Sequence, residues 1–600
     1  MTVWGLCGII KIEILRGDTM KKKVYTVNLY TPEGEKFVSE RPATPWNVYP
    51  RPHLERESFL CLNGTWKLLA RKDDKNLYKG EIVVPFVPES ILSGVGDLFP
   101  EGTKLYYQKE FSLPEGFLEN GGRVILHFGA VDQIAQVRLN GKVLGKHKGG
   151  YHGFSFDVTD SVAEENVLEV SVIDELERKI LPYGKQCRKR GGMWYTPISG
   201  IWQTVWLECV PENYVKEIKI TTDKEGADVF VEGDGELTGM VELGNERFYL
   251  SRGHARINVK ELHYWSPEDP YLYSIKVRIG KDSVKSYFAL RTLEISEIDG
   301  KNRLLLNGKP YFFHGLLDQG YFSDGIFLPA DVCGYERDIL EAKRLGFNML
   351  RKHIKVEPEL FYYLCDKLGI VVFQDMVNNS DYSFFRDTAL PTVGIKRLDD
   401  KKLHKDEKTR EAFLSEMEET VKKLSFHPSV CYYTIFNEGW GQFDHAAAYE
   451  KLRSIDSSRF IDSVSGWFTP KSDGELQSDV ESIHVYFKDV KLSEFKTDKP
   501  KVLSEFGGYS LKLEGHSFNL KKNYGYRTFK DEKEFEAALE ALYKTQVIPL
   551  IKEGLCASVY TQLTDVEDET NGLLSYDRKI VKVSAEMMND ISRAIFEEIK

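Results

Sequence analysis

The alternation of apolar and polar residues changes twice along the chain. From about Trp46 to Val210 it reads as strands and turns with hardly any helix. KLYYQKEFSL, GRVILHFGAV, QIAQVRLNGKVLGKHKGG and NVLEVSVID are separated by Asn-Gly and Gly-Gly pairs that suit tight turns. This pattern predicts a jelly-roll β-sandwich over residues 46–210. From Pro211 to Thr292, shorter alternating runs (VKEIKITT, ADVFVEG, ARINVKEL, YLYSIKVRIG) fit an immunoglobulin-like sandwich over residues 211–292. From Leu293 the pattern becomes strand then helix, repeated, which predicts parallel strands joined by crossover helices. The strands are read as KPYFFHGL, NMLRKH, IVVFQDM, VCYYTIFNE, RFIDSVSGW, SIHVYF, KVLSEF and ASVYTQLTD, so residues 293–600 are expected to form a (β/α)8 TIM barrel.

Residues 1–45 are read as a leader. VWGLCGII is apolar but short, with no basic region before it and no small-residue cleavage site after it, which makes a poor signal peptide. Arg16-Gly17-Asp18 can be encoded by a ribosome-binding sequence, so Met20 is the expected start of translation.

The run Val430 to Phe436 is apolar and β-rich without a break, as in a strand buried on both faces. It ends in Asn437-Glu438, and an unpartnered buried carboxylate is costly. Carboxyl ends of parallel strands are where α/β folds place their chemistry. A second stretch, Pro500 to Tyr509, repeats the pattern: Val502-Leu503 leads to Glu505, and Gly507-Gly508 permit a tight turn. Two strand-terminal carboxylates in one barrel suit glycoside hydrolysis, one as acid/base and the other as nucleophile or base.

Composition narrows the alternatives. With 600 residues and 42% hydrophobic content the chain fills several globular domains, and a net charge of -11 argues against nucleic acid or an anionic membrane as partner. The eight cysteines (Cys7, Cys61, Cys187, Cys209, Cys333, Cys365, Cys431, Cys556) are scattered without a CxxC pair, so free thiols in a reducing, cytoplasmic setting are expected. No apolar run reaches the roughly 18 residues of a membrane span. No phosphate loop or metal cage is evident; His127, His147 and His152 lack paired-ligand spacing, and neither metal nor cofactor is expected.

FNEGWGQ followed by LSEFGG resembles glycoside hydrolase family 2, the family of bacterial β-galactosidases, β-glucuronidases and β-mannosidases. AQVRLNGKVLGKHKGGYHGFSFDVT and GMWYTPISGIWQTVWLE resemble its sugar-binding domain, and HYWSPEDPYLYSI its middle domain. The aromatics of the second string either stack on a sugar or pack this domain onto the next. The resemblance implies that Glu438 is the acid/base and Glu505 the nucleophile, with Arg351 and Tyr486 supporting Glu505 and Asn437 bonding the sugar 2-hydroxyl. His353, His484, Asp318, Gln319, Asp375, Trp440, Trp467, Gln562 and Asp565 lie near predicted strand ends and are candidates to line the pocket.

Departures from the family pattern bear on the substrate. Arg351-Lys352-His353 stands where the family usually has Arg-x-x-His, Gln374-Asp375 where many members have Asp-Glu, and Gln562 where many have Trp. β-Glucuronidases carry Asn-x-Lys in the loop after strand eight; here the stretch is Glu569-Thr570-Asn571-Gly572, without the lysine, which ranks a uronide low. DQGYFSDG and TQLTDVEDETNGLLSYDR are closest to a β-galactosidase-like branch. The expectation is therefore a retaining exo-β-glycosidase of that kind acting on an oligosaccharide or glycoside, with a β-mannosidase, an α-L-arabinopyranosidase or a β-glucuronidase as alternatives. A non-catalytic carbohydrate-binding protein is the alternative of a different class. The resemblance also implies a homo-oligomer.

Overall fold

The computed structural model describes residues 28–599 except 120, 391–396, 467–468, 471–475, 487, 496 and 523. Cys7, the Arg16–Asp18 stretch, Met20 and Trp467 therefore lie outside the described residues.

The first sandwich packs a four-stranded antiparallel sheet (Leu60–Cys61, Val205–Val210, Arg123–Phe128, Phe154–Asp157) on a six-stranded one centred on Gly64–Lys72, Lys104–Ser112 and Glu165–Ile173. Along Glu165–Ile173 every second residue is buried, as expected where one face meets the core and the other does not. Trp66, Tyr107, Leu126, Phe128 and Leu207 fill the space between the sheets. The second sandwich has three strands in one sheet and four in the other, the immunoglobulin-like count. Fully buried Trp265, from the HYWSP string, fixes it to the barrel by donating its Nε1–H to the Asp366 carbonyl at 2.8 Å.

The barrel strands are β1 (Phe313–Asp318), β2 (Met349–Lys352), β3 (Val371–Asp375), β4 (Val430–Asn437), β5 (Phe460–Ser465), β6 (Glu481–Val485), β7 (Lys501–Gly507) and β8 (Leu555–Thr561). All pair in parallel in the order 5-4-3-2-1-8-7-6. The remaining seam, between β5 and β6, is bridged by Asp479: its N–H donates to the Ile461 carbonyl (2.9 Å) and its carboxylate accepts from Ile461 N–H (2.7 Å). Phe313, Met349, Phe373, Tyr432, Phe460, Val502 and Val559 plug the interior, so polar strand ends gather at one mouth above an apolar floor.

Two segments differ from the sequence reading. Within the expected leader, Pro32–Glu40 is a helix. Thr31 caps it by accepting from Gly34 N–H (3.0 Å), and Asp324 on the barrel accepts from both the N–H and the hydroxyl of Thr31 (2.8 and 2.7 Å). The eighth strand ends at Thr561 rather than reaching Asp565. Among the described residues no helix is long and apolar enough to cross a membrane.

Candidate active site

Every residue of β4 is buried, and its last residue, Asn437, delivers the chain into Glu438 with φ +50°. A non-glycine residue in that left-handed region costs about 1–3 kcal/mol and persists where the surroundings impose it. Here Glu438 N–H donates to the Ser465 carbonyl at 2.9 Å, which fixes the turn and aims the carboxylate over the barrel mouth. Glu505, near the end of β7, is 5% exposed and faces the same space. An oxygen of each carboxylate and a ring nitrogen of His484 lie within 4.8 Å of one another.

The two carboxylates have different surroundings. Arg351, at the end of β2 and 1% exposed, is the hub. Its Nε donates to Asp375 (3.0 Å), Nη1 to Glu505 (3.2 Å) and to the Ser504 carbonyl (2.9 Å), and Nη2 to Asn437 Oδ1 (2.8 Å). The Tyr486 hydroxyl, just beyond β6, donates to the other oxygen of Glu505, and its ring stacks on Tyr526 at 3.8 Å. Burial alone would push the Glu505 carboxyl up; His484, the Arg351 charge, the Tyr486 hydroxyl and the Lys185 ammonium outweigh it and hold the group below its ordinary range. Asp375 goes the other way: burial raises it despite Arg351.

Glu438 meets His484. The imidazole Nδ1 is 2.9 Å from Glu438 Oε1, while Nε2 faces Ser465 Oγ at 3.0 Å and the Arg351 Nη1 donor at 3.4 Å. With possible donors on the Nε2 side, Nδ1–H is the group that donates to Glu438 in the singly and the doubly protonated ring alike. His353, just past β2, stands 3.6 Å from Glu505 and 3.7 Å from Asp375, with its Nδ1 against Gln319 Oε1 at 3.0 Å. Burial, with Lys185, Arg351 and His484 nearby, keeps His353 well below the usual imidazole range.

The wall of the mouth comes partly from the first sandwich. Its 178–204 segment crosses onto the barrel, Tyr183 donating its N–H to the Asn378 carbonyl (3.0 Å) and its hydroxyl to the Ser380 carbonyl (2.7 Å). Trp194 lies flat on Trp440 (5.2 Å, 12°), and both meet Tyr382 edge-on. The Tyr195 hydroxyl donates to Glu569, which also accepts from Gln562 (3.2 Å); Gln319 Nε2 donates back to Gln562 Oε1 at 2.7 Å. The aromatics of GMWYTP thus pack one domain onto the next at the rim of the site.

Glu438, Glu505, Asn437, Arg351, Tyr486, His353, His484, Asp375, Trp440, Gln319 and Gln562 are brought together. Asp318 and Asp565 are not part of this group. Asp318 is paired with buried Lys352 (2.5 Å) and accepts from Gly320 N–H (2.9 Å). Asp565, past the end of β8, is paired with buried Lys582 (2.6 Å) and accepts from Gly572 N–H (2.9 Å). Both acids hold loops in shape. The residues that the sequence reading missed are Lys185, Ser465, Tyr382 and Tyr526; only Tyr526, in the Tyr524-Gly525-Tyr526 run after β7, carried a local signal, aromatics flanking a glycine. Among the described residues, Glu438, His484 and Glu505 form the cluster whose spacing suits a cation, and the guanidinium on Glu505 makes it a poor seat for one.

Comparison with known proteins agrees with this architecture. The model of the glycosyl hydrolase 2 galactose-binding-domain-like unit matches residues 100–190, that of glycosyl hydrolases family 2 matches 207–291, and that of the family 2 TIM barrel domain matches 297–573. A β-galactosidase from Thermoanaerobacter pseudethanolicus is 26% identical over 304 residues, 45% of this chain and 39% of that one. The β-glucuronidase of Sus scrofa is 24% identical over 508 residues, 73% of each chain. This chain thus spans well under half of the bacterial relative. Among solved structures, a β-glucuronidase from an uncultured Clostridium species superposes with a TM-score of 0.68 at 21% identity, covering 92% of this chain and 99% of that one. A β-galacturonidase from Eisenbergiella tayi gives 0.66 at 19%, covering 91% and 98%. At these identities the likeness of the structures establishes the fold.

Proposed function

Since the chain belongs to glycoside hydrolase family 2, we propose that it is a retaining exo-β-glycosidase in which Glu505 is the nucleophile and Glu438 the acid/base. The observation that carries this reading is the approach of the two carboxylates, with an oxygen of each within 4.8 Å. Retaining glycosidases place their carboxyl groups about 5–5.5 Å apart, and inverting ones about 6.5–9.5 Å apart to admit a water.

The surroundings divide the roles. A nucleophile must be ionised when the sugar arrives, and against its burial Glu505 is held below its ordinary range by His484, Arg351 and Tyr486. In the first step a Glu505 oxygen bonds to the anomeric carbon while Glu438 gives its proton to the leaving oxygen and the glycosidic bond breaks. In the second, Glu438 takes a proton from water, whose oxygen displaces Glu505 and restores the starting configuration. In this reading Asn437, which Arg351 holds, bonds the sugar 2-hydroxyl, a contact that strengthens in the transition state.

The strand-one loop and the loop after β8 favour a β-galactosidase-like glycon on sequence, whereas the relatives are named as β-galactosidases and β-glucuronidases alike. A panel of 4-nitrophenyl β-glycosides (galactoside, glucoside, mannoside, glucuronide, galacturonide) and the α-L-arabinopyranoside, with Glu505→Gln as control, tests the reading. Turnover of at least one glycon by the parent and none by the variant is expected. Equal turnover by both, or none by the folded parent, contradicts it.

A further inference from the structure

Among the described residues four lysines are buried: Lys185, Lys352, Lys355 and Lys582. Three have a carboxylate against the ammonium: Lys352 with Asp318 (2.5 Å), Lys355 with Glu357 (2.8 Å) and Lys582 with Asp565 (2.6 Å). Lys185 is 6% exposed, yet among the described residues it makes no ion pair and donates no hydrogen bond. The ammonium lies over the face of Tyr195, whose ring centroid is 5.4 Å from the nitrogen.

This ammonium is at the candidate active site. Its neighbours in the chain, Tyr183 and Gly184, are pinned to Asn378 beyond β3, and Lys185 itself accepts from Tyr195 N–H at 3.0 Å. Tyr195, whose ring it faces, donates its hydroxyl to Glu569, so Lys185 stands beside the loop after β8, and its charge is among the influences on Glu505, His353 and Glu569. Glu569 makes no ion pair with it; one oxygen of that carboxylate accepts from the Tyr195 hydroxyl and the Gln562 amide. Among the described residues, Arg351, Glu438, His484, Asp375, Tyr486, Tyr524 and Tyr526 are further charged or titratable groups at the mouth, and the acids among them are engaged by Arg351 or His484.

The other three buried ammoniums have a carboxylate in direct contact, whereas the donors of Lys185 are left open to a ligand. Such a position makes sense where the ligand brings the negative charge. A sugar hydroxyl could accept a hydrogen bond but brings no charge; a carboxylate brings both and makes the stronger, charge-assisted contact.

We propose that Lys185 is a specificity-determining residue that recognises a carboxylate on the glycon, so that the sugar released is a β-linked hexuronic acid; this rests on the glycosidase reading above. The sequence ranks a uronide low because the β8 loop offers Glu569 and no lysine. The cation is supplied instead by the first sandwich, from a position far away in sequence.

The test compares kcat/KM for 4-nitrophenyl β-D-glucuronide and β-D-galacturonide with the matched glucoside and galactoside, in the parent, Lys185→Gln and Lys185→Arg. The parent should prefer one uronide over its neutral counterpart. K185Q should lower that ratio by about a hundredfold and K185R should restore part of it, since a buried charged contact discriminates strongly against its unpaired counterpart. A parent that prefers the neutral sugar, or a K185Q variant that loses both activities equally, overturns the proposal. If neither kind of glycoside is cleaved, it is the glycosidase reading that fails, and binding still decides the role of Lys185. A rise in Tm with D-glucuronate or D-galacturonate, but not with D-glucose or D-galactose, that disappears in K185Q upholds the proposal. The same response in parent and variant refutes it.

Discussion

His484 Nδ1 stands 2.9 Å from Glu438 Oε1 while Nε2 is turned to Ser465 and Arg351, so one imidazole links the acid/base candidate to the cluster that supports the other carboxylate. The ring is fully buried and cannot swing away. Replacing it by alanine removes the group that orients the Glu438 carboxyl. We expect His484→Ala to lower kcat about 10²-fold for a poor phenolic leaving group, within the range of a general acid's contribution. The loss should be much smaller for 2,4-dinitrophenolate, which departs without help. An equal loss on both leaving groups would place the role of His484 outside proton transfer.

Tyr486 and Glu505 give a prediction in pH. The hydroxyl donates to the carboxylate and is one of the influences that keep Glu505 low. In Tyr486→Phe that donor is gone, so Glu505 takes up its proton at higher pH, and the acidic limb of kcat/KM should move upward. The linkage has the same sign in stability. Ionised Glu505 stabilises the fold above the ordinary glutamate value, and that contribution is lost as pH falls through its depressed folded value. An acidic limb that stays in place in Y486F would remove Glu505 from that limb.

His53 clamps three domains, and its sign is opposite. It leads out of the segment before the first sandwich and meets Glu359 on the barrel helix Glu359–Leu368 at 2.7 Å and Glu217 in the second sandwich at 3.2 Å. Burial would lower its pKa, but the two glutamates override that and raise it to about 9. A raised histidine contributes stability fully below its unfolded value of about 6.5, and loses it as pH climbs through the folded value. The Tm of His53→Gln should therefore fall most below the parent near pH 6, with the gap closing toward pH 10. A gap independent of pH would mean that His53 acts through packing alone.

Much of this organisation could be read in the chain. Buried parallel strands are apolar runs, and Glu438, Glu505 and Arg351 stand out as charges closing such runs, so the barrel and its central residues were legible together. Asp318 and Asp565 have the same local appearance, an acid at the end of an apolar run, and only the fold reveals that lysines 352 and 582 face them. Trp194 stood in an aromatic string already read as stacking on a sugar or packing its domain onto the next, and it does the latter. Lys185 was less legible: it sits in the same crossover, and nothing in its own neighbourhood indicates that it lies over the barrel mouth.

The stack of Trp194 on Trp440 joins that crossover to the turn after Glu438. An aromatic pair of this kind is worth about 0.5–1.5 kcal/mol beyond its buried area. We expect Trp194→Ala to raise KM several-fold with a smaller change in kcat, because the wall of the pocket loosens while both carboxylates keep their partners. Steady-state kinetics on the preferred aryl glycoside check this; a loss confined to kcat would contradict it.

The most direct test is to trap the covalent intermediate. The enzyme is incubated with the 2-deoxy-2-fluoro aryl glycoside of its preferred sugar, digested, and the peptides are weighed. The glycosyl mass should appear on the peptide containing Glu505 and be absent in Glu505→Gln. Label on another residue, or no label from a reagent that the enzyme turns over with inversion at the anomeric carbon, would contradict a double displacement through Glu505.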